Sequence, residues 1–213
     1  MKSRSSLWTN IIANFNDIVC FWVIDKKIKL SVLRKHLRIV LGAGMSRQTG
    51  WLSTDKKHLN MLVIEDWQRY FKENSIDAMF AEHVWEHLTE EDAITAAKNC
   101  YAYLKQDGYL RVAVPDGLHP SREYLDAVKP MGSGPGAYDH KVLYTYISLS
   151  AVFKLAGFDV ELLEYFDESG KFHHKDWNYE AGFVSRSMGF DVRNRDGSLN
   201  YTSIILDAWK RDE

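Results

Sequence analysis

The stretch Leu37–Asp55, LRIVLGAGMSRQTGWLSTD, decides how this chain is read. It starts as an apolar run, turns through Gly42 and Gly44 with G-x-G spacing, and closes on a second short run that ends in Asp55. A strand ending in such a pair lets the backbone turn sharply and pass close to a ligand, because a Cβ at either position would block the approach. A dinucleotide fingerprint asks for more: a third glycine opening a helix and an acid about 20 residues on. Here position 47 is Arg, and Asp55 follows Gly42 by only 13 residues. The pyrophosphate reading is therefore weak, and the G-x-G alone fits a plain turn as well as a cofactor site.

The stretches that follow tip the balance. From Leu37 onward, short apolar runs alternate with helical patterns, the mark of βαβ units and a mainly parallel sheet. The strand candidates are Leu37–Leu41, Trp51–Thr54, Asn60–Ile64, Ala78–Ala81 and Tyr109–Val114; the helix candidates are Asp66–Lys72, Thr89–Leu104 and Ser148–Ala156. Thr89 reads as an N-cap with Glu90, Glu91 and Asp92 in the first turn, and Lys105 and Gly108 lie past the far end. Two late runs, Phe158–Tyr165 and Tyr201–Lys210, are expected to pair as an antiparallel ribbon around a polar insert. Acids then recur where a parallel sheet presents its carboxyl edge: Asp55, Glu65 with Asp66, and Glu82 beside His83. Carboxylates placed there accept from ribose hydroxyls and an adenine amine, so the ligand implied is an adenosine without phosphates.

Composition sets outer bounds. With 213 residues, 46% apolar and 13% aromatic, the chain can bury the core of one α/β domain. A net charge of −2 gives no global pull toward nucleic acid or anionic membrane. The only cysteines, Cys20 and Cys100, form neither a C-x-x-C pair nor a disulfide framework, which points to the cytoplasm and excludes a thiolate metal site. Leu7–Ile24 is rich in large apolar residues, but Asn10, Asn14, Asn16 and Asp17 interrupt it, so a stable membrane span or a signal peptide fits poorly. A packed amphipathic helix is the first reading. Peripheral lipid contact is the second, because Lys26, Lys27, Lys29, Arg34, Lys35, His36 and Arg38 follow.

The block EHVWEH spells the H-x-x-E-H of an inverted zinc-protease helix. With His83 at a strand's end, its ligands are not expected to converge, so no metal is assigned, and Glu86 and His87 read as structural groups. On the acceptor side, Asp116 follows the fifth strand candidate, and a glycine-rich loop leads to Asp139 and His140. His140 is the first candidate for a general base, since an imidazole titrates near neutrality. Tyr138 and Tyr144 are candidates to shape the acceptor pocket, and the later insert adds His173, His174, Asp176, Arg186, Arg193 and Arg195.

LGAG (Leu41–Gly44), GWLSTD (Gly50–Asp55), SIDAMFAEHVWEHLTEEDA (Ser75–Ala93), YLKQDGYLRVAVPD (Tyr103–Asp116) and HKVLYTYISLSAVFKLAGFDVELLEYF (His140–Phe166) together resemble the class I S-adenosylmethionine-dependent methyltransferases. Within that family, the resemblance is to a small bacterial group, of the type 11 kind, linked to surface-polysaccharide biosynthesis. It implies a Rossmann-like, seven-stranded, mostly parallel α/β sheet with an antiparallel last strand. It also implies one domain over 37–213 with acceptor-side inserts at about 116–146 and 166–199, preceded by a helical extension over 1–36. By the same resemblance, Gly42 and Gly44 approach the methionine part of the cofactor, Asp55 takes the ribose hydroxyls, Asp66 with Trp67 flanks the adenine, and Glu82 with His83 lines the floor beneath the sulfonium. The resemblance implies S-adenosylmethionine as cofactor, with S-adenosylhomocysteine as product, and a small-molecule or saccharide acceptor, most simply methylated on oxygen. A cofactor-binding module without transfer activity is the alternative. Two departures stand out: Leu41 occupies the place where an acid commonly precedes the first glycine, and the loop lacks its third glycine. Nucleic acid is not an expected partner, since no aromatic-plus-proline catalytic tetrapeptide and no extended basic face is present.

Overall fold

The computed structural model describes residues 25–31, 35–44 and 46–211. The first of these segments is a short helix, α1 (25–31), so the reading of Leu7–Ile24 lies outside the described residues. Seven strands form one sheet in the order β2-β1-β3-β4-β7-β5-β6. They are β1 (Arg38–Val40), β2 (Leu52–Ser53), β3 (Ile76–Glu82), β4 (Leu104–Pro115), β5 (Asp159–Phe166), β6 (Phe172–His174) and β7 (Ser203–Trp209). β2, β1, β3 and β4 pair in parallel, while β7 runs antiparallel to both β4 and β5. The fold is thus the Rossmann-like α/β class expected, with the antiparallel ribbon of β7 and β5 following β4 toward one edge of the sheet. An extra edge strand, β6, hairpins back onto β5.

Strand alternation sorts the two faces. Ile39, Met79, Ala81, Leu110, Val112, Leu206 and Ala208 point to the side covered by helices α2 (Ile64–Tyr70), α3 (Glu90–Tyr103) and α5 (Tyr146–Leu155). Residues one step off, such as Val40, Ala78, Phe80, Ala113 and Ile205, face the other side, where Trp51, Val184 and Trp177 cover them. The polar insert is therefore a lid over one face of the sheet. Arg111 nails it down: it grips Asp207 with two bonds of 2.8 Å and donates to the carbonyls of Asn178 and Gly182 at 2.7 and 3.0 Å. Glu164, 1% exposed, accepts from the Trp177 indole at 3.0 Å and from the Met188 amide at 2.8 Å.

Helix ends follow the chemistry of their caps. Thr89 accepts from the Asp92 amide at 3.2 Å and starts α3, and Thr145 with Ser148 forms a capping box at α5. Helix α4 (Arg122–Val128), absent from the sequence's helix candidates, is capped by Ser121, whose hydroxyl accepts from the Tyr124 amide at 3.2 Å. The expected strand Asn60–Ile64 does not form. Asn60 donates its amide to Asp66 at 2.8 Å and accepts from Leu62 with its own side chain, which bends the chain into a turn that opens α2.

Candidate active site

Because β1 has β2 on one side and β3 on the other, the chain leaves β1 and β3 in opposite directions and opens a crevice beyond their carboxyl ends. A cleft of about 670 Å³ lies there. It is lined by Gly42 and Gly44 after β1, by Asp55, Lys56 and Leu59–Leu62 after β2, by His83, Val84, His87 and Leu88 after β3, and by Tyr138 with Asp139 from the acceptor-side loop. Its size suits a nucleoside-sized ligand.

The glycines are there for physical reasons. Gly42 has φ +57, and a Cβ on it would stand 2.8 Å from Val84 Cγ2. Gly44 has φ +51 with nothing within 4 Å of where its Cβ would be, so the backbone borders open space. Asp55 is exposed at the cleft's rim, where Oδ1 accepts from the Lys56 amide at 2.7 Å. His83 also sits in the left-handed region, at φ 55, a strain that a non-glycine residue carries where the surroundings hold it in place. Its Nε2 lies 3.2 Å from Ser203 Oγ and its Nδ1 3.1 Å from Glu86 Oε1.

Of the remaining sequence candidates, Tyr138 lines this cleft, and Asp66, Trp67, Glu82, Asp116, His140 and Tyr144 do not. Trp67, 0% exposed, stacks on Tyr103 with ring centroids 5.0 Å apart. Its indole and Asn99 both donate to the Met61 carbonyl, at 3.2 and 2.8 Å. Asp66 instead accepts from the Asn60 amide, so neither residue of the expected adenine pair lines the cleft, and both position the loop that does. Glu82 is turned by strand alternation toward the lid, where it accepts from Ser185 Oγ at 2.7 Å and the Arg186 amide at 2.8 Å. Asp116 is fully buried and staples Leu118 and Phe166 amides at 2.9 and 2.7 Å, and burial pushes its carboxyl up to about 6. Tyr144, 1% exposed, belongs to the core, whereas Tyr138 is 74% exposed at the cleft mouth.

His140 is buried beside the cleft, its Nδ1 2.6 Å from the Val128 carbonyl and its ring edge-on to His87 at 4.9 Å. The segment reaches this point because the Lys141 amide donates to the Glu86 carbonyl at 2.7 Å. Glu86, His87 and His140 thereby converge, each offering a ligand atom within 4.8 Å of the others. The sequence reading tied convergence to His83; the third member is instead a residue more than fifty positions on, brought in by that loop. Burial opposes ionisation of Glu86, yet the charge of His83, with that of His87, holds its carboxyl below the ordinary range. The cleft residues that sequence reasoning missed are Lys56, Leu59–Leu62, Val84, His87, Leu88 and Asp139. The Asn60 and Asp66 spacing was the one available sign of the turn.

Residues 32–112 match a family profile described as a methyltransferase domain. A comparison with curated proteins finds no match. Among solved structures, the chain is similar to a SAM-dependent methyltransferase from Archaeoglobus fulgidus, at 14% identity over 88% of this chain and 93% of that one, with a TM-score of 0.47. It is similar as well to a SAM-dependent methyltransferase of Thermotoga maritima described as a possible histamine N-methyltransferase, at 15% identity over 95% and 99%, TM-score 0.47. A third is the 1,6-didemethyltoxoflavin-N1-methyltransferase of Burkholderia thailandensis, at 14% identity over 98% and 88%, TM-score 0.47.

Proposed function

From the match of residues 32–112 to a methyltransferase-domain profile, we propose that this chain is a class I S-adenosylmethionine-dependent methyltransferase that transfers a methyl group to the oxygen of a small-molecule or saccharide acceptor. The observation that carries this reading is the cleft itself, with its two left-handed glycines on one wall and the Asp55 carboxylate on the next.

The residues present fit an adenosyl cofactor. Gly44 leaves room for backbone to approach the methionine part, Asp55 offers carboxylate oxygen to ribose hydroxyls, and Leu59, Met61 and Leu62 supply an apolar slot for a base. When bound, S-adenosylmethionine supplies the electrophilic methyl group and the leaving sulfur. The chain's own task is to hold donor and acceptor in line and to exclude water. His83, His87 and Asp139 also line the cleft, and in this reading they handle an acceptor hydroxyl and its proton. In this reading His140 acts by positioning His87, and Asp116 by fixing the turn after β4, rather than by touching the acceptor.

Acceptor entry would pass Tyr138, exposed at the cleft mouth beside Asp139. Among the described residues no helix is long and apolar enough to cross a membrane, and the buried, free Cys100 accords with a cytoplasmic setting. The test is transfer of a labelled methyl group from S-adenosylmethionine to a panel of saccharides and small hydroxylated compounds. Labelled product that is lost in the Asp55→Ala variant supports the reading. Tight cofactor binding without transfer to any acceptor supports a binding module on the same fold.

A further inference from the structure

Glu86 poses a problem that the cleft's fold does not solve. Its side chain is 1% exposed, and neither carboxylate oxygen has a hydrogen bond of good geometry, although His83 Nδ1 approaches Oε1 to 3.1 Å. A buried carboxylate whose nearest polar neighbour is a single imidazole is costly to hold and is commonly completed by a further cation. His87 presents a second orphan, its Nδ1, which is also buried without a hydrogen bond and lies 3.4 Å from Asp139 Oδ2. His140 is arranged differently. A carbonyl oxygen can only accept, so the 2.6 Å contact with Val128 puts the ring's proton on Nδ1 and leaves Nε2 as a lone pair. An imidazole held through one nitrogen by a backbone carbonyl, with the other nitrogen unprotonated, is how proteins orient histidine ligands to metals.

We propose that Glu86, His87 and His140 form a binding site for a zinc-class divalent cation at the inner end of the cleft. Two imidazoles and one carboxylate are a donor set suited to zinc and to neighbouring first-row metals. Their ligand atoms lie within 4.8 Å of one another, against about 3.4 Å between ligands of a tetrahedral zinc, so binding shortens the widest separation by at most about 1.4 Å. Two of the three ligands are buried, whereas His87 lines the cleft, so a cation held among them would border the ligand space. The site is therefore of the open, three-ligand kind rather than a closed structural one. The alternative occupant of Glu86 is a protonated His83, an ion pair that needs no metal.

The experiment uses the full chain, stripped with chelator and titrated with cobalt(II) and then zinc in the absence of methyl donor, so the result does not depend on the cofactor reading. We expect one equivalent of cobalt to bind with the visible absorption of a low-coordinate site, zinc to displace it, and affinity to fall at least tenfold in His87→Gln and in Glu86→Gln. His87 is only half-buried, so its replacement should leave the fold intact, as circular dichroism would verify. Absence of saturable cobalt or zinc binding would overturn the proposal in favour of the Glu86–His83 pair. So would binding of unchanged strength in folded His87→Gln.

Discussion

Replacing each of the two cleft glycines by alanine separates backbone geometry from ligand contact. Gly42 has φ +57, where an L-residue costs about 1–2 kcal/mol. Its new Cβ would also meet Val84 Cγ2 at 2.8 Å and Cγ1 at 3.2 Å, and a β-branched side chain has few rotamers into which it can retreat. Overpacking of this kind adds about 1–2 kcal/mol, for a total loss of about 2–4 kcal/mol in Gly42→Ala. Gly44→Ala carries only the backbone term, about 1–2 kcal/mol, because nothing lies within 4 Å of its Cβ. That methyl would, however, stand at the edge of the ligand space, and about 1.4 kcal/mol of lost contact there is a tenfold loss of affinity. Equilibrium urea unfolding and calorimetric titration with S-adenosylmethionine read the two effects. Gly42→Ala should unfold at the lower urea concentration, and Gly44→Ala should bind the cofactor about tenfold more weakly than wild type. If Gly44→Ala binds within twofold of wild type and Gly42→Ala is no less stable than Gly44→Ala, the glycine argument is wrong.

The lid and the turn after β4 give two further expectations. Arg111→Met leaves Asp207, 4% exposed, as an uncompensated buried charge and should cost about 3–5 kcal/mol in urea unfolding, largely recovered in Arg111→Met/Asp207→Leu; a single-variant loss below about 1 kcal/mol would show that the pair does not anchor the insert. Asp116 has its carboxyl raised from 3.8 to about 6 by burial, so the folded state holds that proton more tightly than the unfolded chain. Its ionisation therefore opposes folding by up to about 3 kcal/mol above pH 6, and the penalty fades as pH falls toward 4. Relative to Asp116→Asn, the wild type should gain stability between about pH 7 and pH 5, and parallel pH profiles of the two would contradict the assignment.

What the sequence made legible was what repeats locally. Apolar runs with β-branched residues placed six of the strands' neighbourhoods, and Thr89 with its acids announced α3, because both are short-range chemistry. Asn60–Ile64 was misread as a strand: its apolar residues look alike in either state, and only the side-chain bonds of Asn60 with Leu62 and Asp66 make the turn. Arg111 hides in an otherwise apolar strand because its partners, Asp207 and the lid carbonyls, are about 70 to 100 residues away. At the cleft, Gly42, Gly44, Asp55 and His83 follow directly from strand ends. Trp67, Asp66, Glu82 and Asp116 were near the right place but faced away, since one residue of helical or strand rotation decides which side a chain presents. The meeting of Glu86 and His87 with His140 depends on a loop packing against the 85–87 turn, which no local pattern encodes.

The central claim is that the cleft beyond β1, β2 and β3 holds an adenosyl methyl donor. Calorimetric titration with S-adenosylmethionine, S-adenosylhomocysteine and NAD, on wild type and Asp55→Ala, tests it most directly. The account predicts micromolar binding of the adenosyl pair, no binding of NAD, and a loss of about 1.5–3 kcal/mol in Asp55→Ala, the worth of a hydrogen bond to a charged group. Binding of neither adenosyl compound, or affinity within twofold of wild type in Asp55→Ala, would contradict it.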